Sequence, residues 1–317
     1  MTPPEQPPGG SSPKDRSNPR WPRNADAQTD ARSNAHGEDR WNTQRDAPWR
    51  KDRRERPASG WKPRPHRTAT VDMNDGIIRL YGLHPVEAAL SNPQRRITRV
   101  TATDNAARKL EAVLTARGIT VEPTTPRDLD KLLGSDTVHQ GIMVEADALP
   151  EPELEALAEA AIRQRLPLIV LDQVTDPHNV GAVLRSAAVF GATGVVMTRR
   201  HSPPLNGTLA KAASGALELV DVALVQNLAR ALAELKEYGL RIVALDGDGG
   251  GLLDDEPFDS GVALVLGAEG RGLRQSTREG ADAVVRIATG GKIDSLNVSN
   301  AAAISLHLAA MRRRSAT

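Results

Sequence analysis

Three segments of the sequence carry polar residues where the surrounding pattern calls for apolar ones. The first reads DPHNVGAVLRSAAVFGATGV and follows an apolar stretch that ends near Asp172. On its predicted helix, Arg185 has small or apolar neighbours three and four residues away: Gly181, Ala182, Ala188 and Val189. An arginine buried on such a face needs an anionic partner, either a structural carboxylate or a ligand phosphate. Asn179, near the start of the helix, is either an ordinary N-cap or a functional amide.

The second segment is VALVLGAEGRGL, residues 262–273. Its apolar run ends in Gly267, and Gly270 and Gly272 follow at close spacing. Glycines just beyond a strand let backbone approach a ligand at the edge where open α/β sheets bind their ligands. Glu269 lies among them, so it either contacts that ligand or is a solvated side chain of a glycine-rich turn.

The third segment is IDSLNVSNAAAISLHLA, which begins at Ile293. Ser295 and Asn297 flank Leu296 immediately before an alanine-rich helix. Either polar residue could be an N-cap. A loop whose backbone holds a cofactor fits the same pattern.

The elements that must position these segments alternate between strand and helix. From Pro167 onward the apolar runs PLIVLD, GVVMT, RIVALD, VALVLG and AVVRIA are separated by helical stretches, and a final helix starts near Asn297. Near-continuous apolar strands are typical of a sheet that is covered on both faces. The pattern predicts a mostly parallel α/β sheet.

Residues 76–148 form a second α/β pattern, with strands predicted at 97–103, at 119–125 (ITVEPTT) and in HQGIMVEA. We therefore predict three parts: a tail at 1–74, a small α/β domain at 75–148 and a larger α/β domain at 149–317.

The tail differs from the rest in composition. Residues 1–70 contain 15 Lys and Arg against 9 Asp and Glu, and all four tryptophans of the chain. With few other large apolar residues, this stretch cannot offset its ordering entropy, so we predict disorder. Arginine and tryptophan together suit RNA contact through phosphate attraction and base stacking; a solubilising tail without a partner is the alternative.

Several classes are excluded or disfavoured by composition. The chain contains no cysteine, which rules out disulfides, thiolate metal sites and a cysteine nucleophile. Its seven histidines show no metal-ligand spacing, so no metal is expected. No signal-peptide pattern and no run of about 18–20 apolar residues is present. We expect a soluble, cytoplasmic protein without membrane contact.

In this order and spacing, DPHNVGAVLRSAAVFGATGV, GAEGRGL and SLNVSNAAAI resemble the three signature motifs of the SpoU (TrmH) branch of the SPOUT RNA methyltransferases. The resemblance covers about 165–312. Residues 76–148, with YGLHPVEAAL and HQGIMVEA, resemble the ribosomal-protein-like RNA-binding domain of bacterial 23S rRNA guanosine-2'-O-methyltransferases. The resemblance implies that the catalytic domain has a C-terminal trefoil knot and that the protein is a homodimer.

The resemblance also implies S-adenosyl-L-methionine as cofactor, held by Gly267, Ile287 and Leu296. By motif, the catalytic and substrate-positioning residues are Asn179, Arg185, Glu269, Ser295 and Asn297. Two departures stand out: ATGG at 288–291 replaces the usual proline and methionine, and Asn300 replaces an apolar residue. Both are expected to reshape the cofactor pocket slightly.

The implied reaction is transfer of a methyl group to a ribose 2'-hydroxyl of a guanosine in 23S rRNA, either naked or in an assembling large subunit. Three alternatives stay open: a tRNA methyltransferase of the same family, a catalytically inactive RNA-binding ribosome-assembly protein, and a dinucleotide-dependent oxidoreductase. The last is disfavoured because Gly-x-x-Gly-x-Gly differs from the dinucleotide pattern.

Overall fold

The computed structural model describes residues 76–258, 260–291 and 295–315. The tail that the sequence predicts to be disordered, residues 1–74, lies outside this range. Within it the chain forms two β-sheets, each with its own helices. Both sheets belong to one compact unit.

The first sheet has the strand order β1-β4-β2-β3, and only β2 and β3 run parallel. Its elements are β1 (Ile77–Tyr81), α1 (Leu83–Ser91), β2 (Ile97–Ala102), α2 (Asp104–Lys109), α3 (Glu111–Ala116), β3 (Glu122–Pro123), α4 (Pro126–Leu133) and β4 (Ile142–Asp147). The strand expected at 119–125 is reduced to the two residues of β3. Pro123 lacks an N–H group, so it cannot continue a ladder, and the strand lies at the sheet edge.

The second sheet has seven strands in the order β7-β6-β5-β10-β8-β11-β9, and every pairing is parallel. Its elements are α5 (Leu154–Gln164), β5 (Leu168–Asp172), α6 (Pro177–Phe190), β6 (Gly194–Thr198), α7 (Gly207–Ala213), β7 (Asp221–Val225), α8 (Leu228–Glu237), β8 (Arg241–Leu245), β9 (Gly251–Leu252), β10 (Val262–Gly267), α9 (Gln275–Glu279), β11 (Ala283–Arg286) and α10 (Val298–Ser315). A 3-10 turn at Ala216–Glu218 follows α7.

Helices cover both faces of this sheet, as the apolar strands predicted. Along β5, Leu168 and Val170 pack against α5 and α8, whereas Ile169 and Leu171 pack against α6, α7 and α10. Successive strand side chains point to opposite faces, so each apolar residue of the run is buried. The predicted mixed α/β fold with a mostly parallel sheet is confirmed; the trefoil knot stays a prediction.

Two local features were not predicted. Strand β7 was missed, because DVALV is short, begins with an exposed aspartate and lies at the sheet edge. Helix α6 begins at Pro177, close to the predicted start near Asn179, but its N-cap is Asp176: the carboxylate accepts a hydrogen bond from the His178 amide at 2.9 Å. Within the described residues, no helix is long and apolar enough to cross a membrane.

Candidate active site

The three polar segments meet at the carboxyl edge of the second sheet. Strands β5 and β10 are neighbours in register, with Gly267 opposite Asp172. The segment after β5 leads into α6, the segment after β10 forms the glycine loop, and the last segment leads into α10. Because parallel strands end at one edge, residues far apart in the sequence are brought together there.

The glycine loop, residues 267–272, folds back on itself directly after β10. The Gly272 amide donates to the Ala268 carbonyl at 2.9 Å. A Cβ on Gly267 would lie 2.3 Å from the Gly272 carbonyl carbon, so only glycine fits there. Gly270 and Gly272 have φ values of 76° and 63°, a region that side chains rarely adopt. The loop therefore depends on all three glycines.

Asn179, Glu269 and Asn297 form a hydrogen-bonded polar triad. The Asn179 amide donates to Glu269 Oε1 at 3.2 Å, and the Asn297 amide donates to Asn179 Oδ1 at 3.0 Å. Asn297 also donates to Glu269 Oε1. These three predicted residues, 90 or more positions apart in two of the pairs, are brought into one cluster.

The sequence left open whether Asn179 and Asn297 are helix N-caps, and the structure gives a different answer for each. Asn179 is not a cap, because Asp176 fills that position of α6. Asn297 is a cap and a triad member at once: its Oδ1 accepts from the Ser299 amide at 2.8 Å, while its Nδ2 donates to the triad. One carboxamide has both a donor and an acceptor end, which allows this double use.

Arg185 corrects a sequence-based argument. Its predicted burial was wrong, since the side chain is exposed, and its neighbour Val189 is 75 % exposed. Within the described residues Arg185 makes no hydrogen bond or ion pair, so it is not a structural ion-pair residue there. The small residues that flank it, Gly181 among them, serve a different contact: they let α7 approach α6.

A cavity of about 690 Å³ opens between the glycine loop and the start of α10. Seven residues singled out from the sequence line it: Gly267, Glu269, Gly270, Gly272, Ile287, Ser295 and Leu296. Its volume lies within the range of small-molecule and cofactor sites, about 300–1,000 Å³. Ser295 and Leu296 are exposed to the cavity side of the loop. Thr289 of the ATGG departure also lines it.

Sequence reasoning missed the contribution of β8. The cavity wall includes Asp246, which follows the last residue of that strand, and Arg278 of α9. Their side chains form an ion pair of 3.1 Å. An aspartate that ends an apolar strand was the available signal, in RIVALD.

Asp172 was also missed by the sequence analysis. It stabilises the segment that follows the glycine loop. It is fully buried at the end of β5, and its carboxylate accepts from Arg274 at the backbone amide, 3.0 Å, and at Nε, 2.7 Å. A buried carboxylate requires such pairing. The pair ties the segment after the glycine loop to β5. No group of metal-ligating side chains is found in the described part of the chain.

The arrangement is chemically specific. Amide and carboxylate groups join three loops around a glycine-lined cavity, and the guanidinium of Arg185, unpaired within the described part of the chain, lies further along the helix that carries Asn179. Such a site can hold a cofactor largely through backbone and can attract an anionic substrate.

The model of the SpoU rRNA Methylase family matches residues 167–307, and that of RNA 2'-O ribose methyltransferase substrate binding matches residues 79–152. The 23S rRNA (guanosine-2'-O-)-methyltransferase RlmB of Pectobacterium atrosepticum is 38 % identical over 242 residues, covering 74 % of this chain and 98 % of that protein. The RlmB of Pasteurella multocida is 39 % identical over 236 residues, covering 72 % and 95 %.

Among solved structures, the SpoU methyltransferase AviRb from Streptomyces viridochromogenes, in complex with the cofactor AdoMet, superposes with a TM-score of 0.64. The match covers 76 % of this chain and 91 % of AviRb, at 22 % sequence identity. This similarity shows a common fold.

Proposed function

Because this chain belongs to the SpoU rRNA methylase family, we propose that it methylates the ribose 2'-hydroxyl of a guanosine in 23S rRNA, with S-adenosylmethionine as methyl donor. The observation that carries the proposal is the polar triad of Asn179, Glu269 and Asn297 beside the glycine-lined cavity. The relatives named as 23S rRNA methyltransferases align over both sheets, which supports the rRNA assignment over tRNA.

The cavity fits S-adenosylmethionine in size and construction. Gly267 leaves no room for a side chain of its own, so backbone is presented there, and Ile287 and Leu296 add apolar surface. We assign cofactor binding to these three residues. When bound, the cofactor supplies an electrophilic methyl group on its sulfonium.

The polar triad holds the three loops in one arrangement. Glu269 accepts from both asparagines, so its carboxylate fixes the glycine loop against the starts of α6 and α10. We assign orientation of the reacting groups to the triad and lining of the ribose site to Ser295. Orientation is a large part of what a weak nucleophile such as a ribose hydroxyl needs.

Arg185 is assigned to the RNA phosphate next to the target ribose. Its guanidinium is exposed and has no hydrogen-bond or ion-pair partner among the described residues. A guanidinium can bind a phosphate through two parallel hydrogen bonds, in bidentate geometry. A guanidinium holds its proton too tightly to be a base, so the 2'-hydroxyl proton passes to that phosphate or to a water.

The remaining parts complete the proposal. We divide the chain into a tail (1–74), an RNA-binding domain (75–148) and a methyltransferase domain (149–317), which work in the cytoplasm on rRNA or on the assembling large subunit. A trefoil knot in the last domain belongs to the same proposal, on the family resemblance alone.

We also propose a homodimer. Val189 of α6 is 75 % exposed and Ile304 of α10 is 42 % exposed, and these two helices pack together through Phe190 and His307, ring centres 5.5 Å apart. Exposed apolar residues on adjacent helices suit an interface between two copies of the chain. Light scattering of the full chain and of Val189→Asp tests this: a dimer that the aspartate dissociates is expected.

The decisive experiment maps 2'-O-methylation. Ribosomal RNA and tRNA from a strain that lacks this protein are compared with the parent strain, and purified protein is then added with S-adenosylmethionine. Loss and restoration of one methylguanosine in 23S rRNA is expected. Loss in tRNA instead would favour the tRNA enzyme, and no change in either RNA would favour an inactive assembly protein.

A further inference from the structure

A buried ion pair joins the two sheets. Arg95, in the turn between α1 and β2, and Glu218, in the 3-10 turn after α7, lie 2.7 Å apart, and each side chain is 2 % exposed. Arg95 Nε also donates to both Glu218 oxygens, at 3.2 and 3.1 Å, and its Nη1 donates to the Asp147 carbonyl at 2.7 Å. Asn92 adds a bond to Glu218 at 3.0 Å. The Glu218 carboxylate, which belongs to the part of the chain that forms the second sheet, is thus enclosed by donors from the part that forms the first sheet.

Around this pair the backbones approach closely. A Cβ on Gly207, the first residue of α7, would lie 2.1 Å from the Arg79 carbonyl oxygen of β1. A Cβ on Gly215 would lie 2.9 Å from Ala88 Cβ of α1, and Gly215 has a φ of 95°. Two glycines therefore let α7 and its following turn lie directly against the first sheet.

Two further polar contacts cross the same boundary. The Lys211 ammonium donates to Gln140 Oε1 at 2.8 Å, and the hydroxyls of Tyr81 and Thr208 lie 3.1 Å apart. Burial lowers the pKa of Lys211, in keeping with a partly desolvated contact. The apolar core is also continuous from Leu80 of β1 to Leu209 of α7.

The contacts lead on to the active site. Helix α7 packs on α6, where a Cβ on Gly181 would lie 2.6 Å from Ala212 Cβ. Gly181 is two residues after Asn179 of the polar triad. Close backbone contacts therefore connect β1 to α7 and α7 to α6, the helix that carries Asn179 of the triad.

Burying a charge pair is a poor way to gain stability, since desolvation offsets most of the attraction, but its directional bonds can specify one arrangement. We infer that Arg95 and Glu218 are positioning residues that fix the RNA-binding sheet at one distance and angle from the methyl-transfer site. This inference rests on the proposed function. If the first sheet is held rigidly, RNA bound to it presents one particular ribose to the cavity.

The test uses the full chain and its lack of cysteine. Spin labels at Glu111→Cys on α3 and Glu237→Cys on α8, both exposed, report the distance between the two sheets. Labelled chains are diluted with unlabelled chains, so that the measured distance lies within one protomer, and a single narrow distance is expected, with and without RNA. Arg95→Met should broaden it and raise the KM for 23S rRNA by about tenfold or more, since a loosely tethered module loses effective concentration. The kcat and the S-adenosylmethionine affinity should change little.

Two further variants separate positioning from stability. Arg96→Met is the matched control, because Arg96 pairs with Asp147 nearby but is 80 % exposed; it should leave distance and KM unchanged. Arg95→Met/Glu218→Met leaves no buried charge unpaired, so thermal stability should recover while the broad distance and the raised KM persist. This double variant also covers the case in which Arg95→Met does not fold.

A broad distance in the unaltered chain, or a double variant that recovers the narrow distance and the original KM, would overturn the inference. The distance measurement needs no methylation, so it decides the docking even if 23S rRNA proves not to be the substrate.

Discussion

The members of the polar triad orient one another, because each of the three side chains is hydrogen-bonded to the other two. Asn179, Glu269 and Asn297 were singled out because polar groups interrupt an apolar pattern, and the structure brings them together. Arg185 was singled out on an expected burial that the structure contradicts. Helical spacing shows which residues share a face, but the exposure of that face depends on neighbouring elements that spacing does not specify.

Gly267 gives a prediction at the scale of one methyl group. In Gly267→Ala the new Cβ would meet the Gly272 backbone at 2.3 Å, so the loop must open. Overpacking of this kind typically costs about 1–3 kcal/mol, and we expect S-adenosylmethionine affinity to fall by about 5- to 150-fold in calorimetry. Gly250→Ala, with nothing within 4 Å of the added Cβ and no place in the cavity lining, is the control and should bind normally. Equal affinity of both variants would remove the loop from the cofactor site.

Arg185 separates binding from chemistry. Because it makes no hydrogen bond or ion pair among the described residues, Arg185→Ala should fold and bind S-adenosylmethionine as before, yet lose methyl transfer by about 100-fold or more. Arg185→Lys should rescue little, since an ammonium lacks the two-pronged geometry. Single-turnover methylation of 23S rRNA measures both. Substantial activity of the lysine variant would mean that a simple cation suffices.

At the scale of elements, the contact between α6 and α7 sets the position of Asn179. Gly181→Ala would place a methyl group 2.6 Å from Ala212 Cβ and 2.7 Å from the Ala212 carbonyl carbon. We expect a loss of about 1–3 kcal/mol in the free energy of unfolding, measured in urea, and a lower kcat as Asn179 shifts. Ser186→Ala on the same helix removes only a bond to Ala182 and should do neither. Unchanged stability in Gly181→Ala would show that the helices can slide apart freely.

Strands and helices could be predicted where apolar residues form a continuous or periodic pattern. They could not be predicted where their bounds depend on one tertiary contact. The apolar runs of β5, β6, β8 and β10 are buried on both faces, so their continuity identified them. Strand β7 lies at the edge and begins with an exposed aspartate, which weakened its pattern. The cap of α6 was not identified because Asp176 and Asn179 are both good caps. Asp176 is the cap, whereas the Asn179 amide donates to Glu269, 90 positions away.

At the scale of the whole molecule, the two sheets share one apolar core, and this union was not foreseen. The sequence predicts two domains with a boundary near 148, yet Arg95 and Glu218 are enclosed across it. Their pairing leaves no trace in either local pattern, since each residue alone looks like a surface charge. Deleting residues 1–148 would leave Glu218 and the facing core exposed, so point variants test recognition more cleanly than that truncation.

The charge distribution gives the last prediction. Residues 1–70, which lie outside the described residues, hold 15 Lys and Arg against 9 Asp and Glu, whereas the whole chain is only +1. The rest of the chain is therefore net acidic and gains little nonspecific attraction to RNA. Deleting residues 1–70 should weaken RNA affinity and flatten its dependence on salt, because fewer counterions are released. The methylated nucleotide should not change, since phosphate contacts position without specifying.

Binding measured at several salt concentrations, with the full chain and with residues 71–317, decides the matter. Replacing Trp21, Trp41, Trp49 and Trp61 with alanine in the full chain is the matched control. It should keep the salt slope and reduce affinity only by the stacking contribution, about 1–3 kcal/mol for each base that stacks. If the full chain and the 71–317 chain have the same salt slope, the tail neutralises no RNA phosphate, and the electrostatic attraction must come from the first sheet and Arg185.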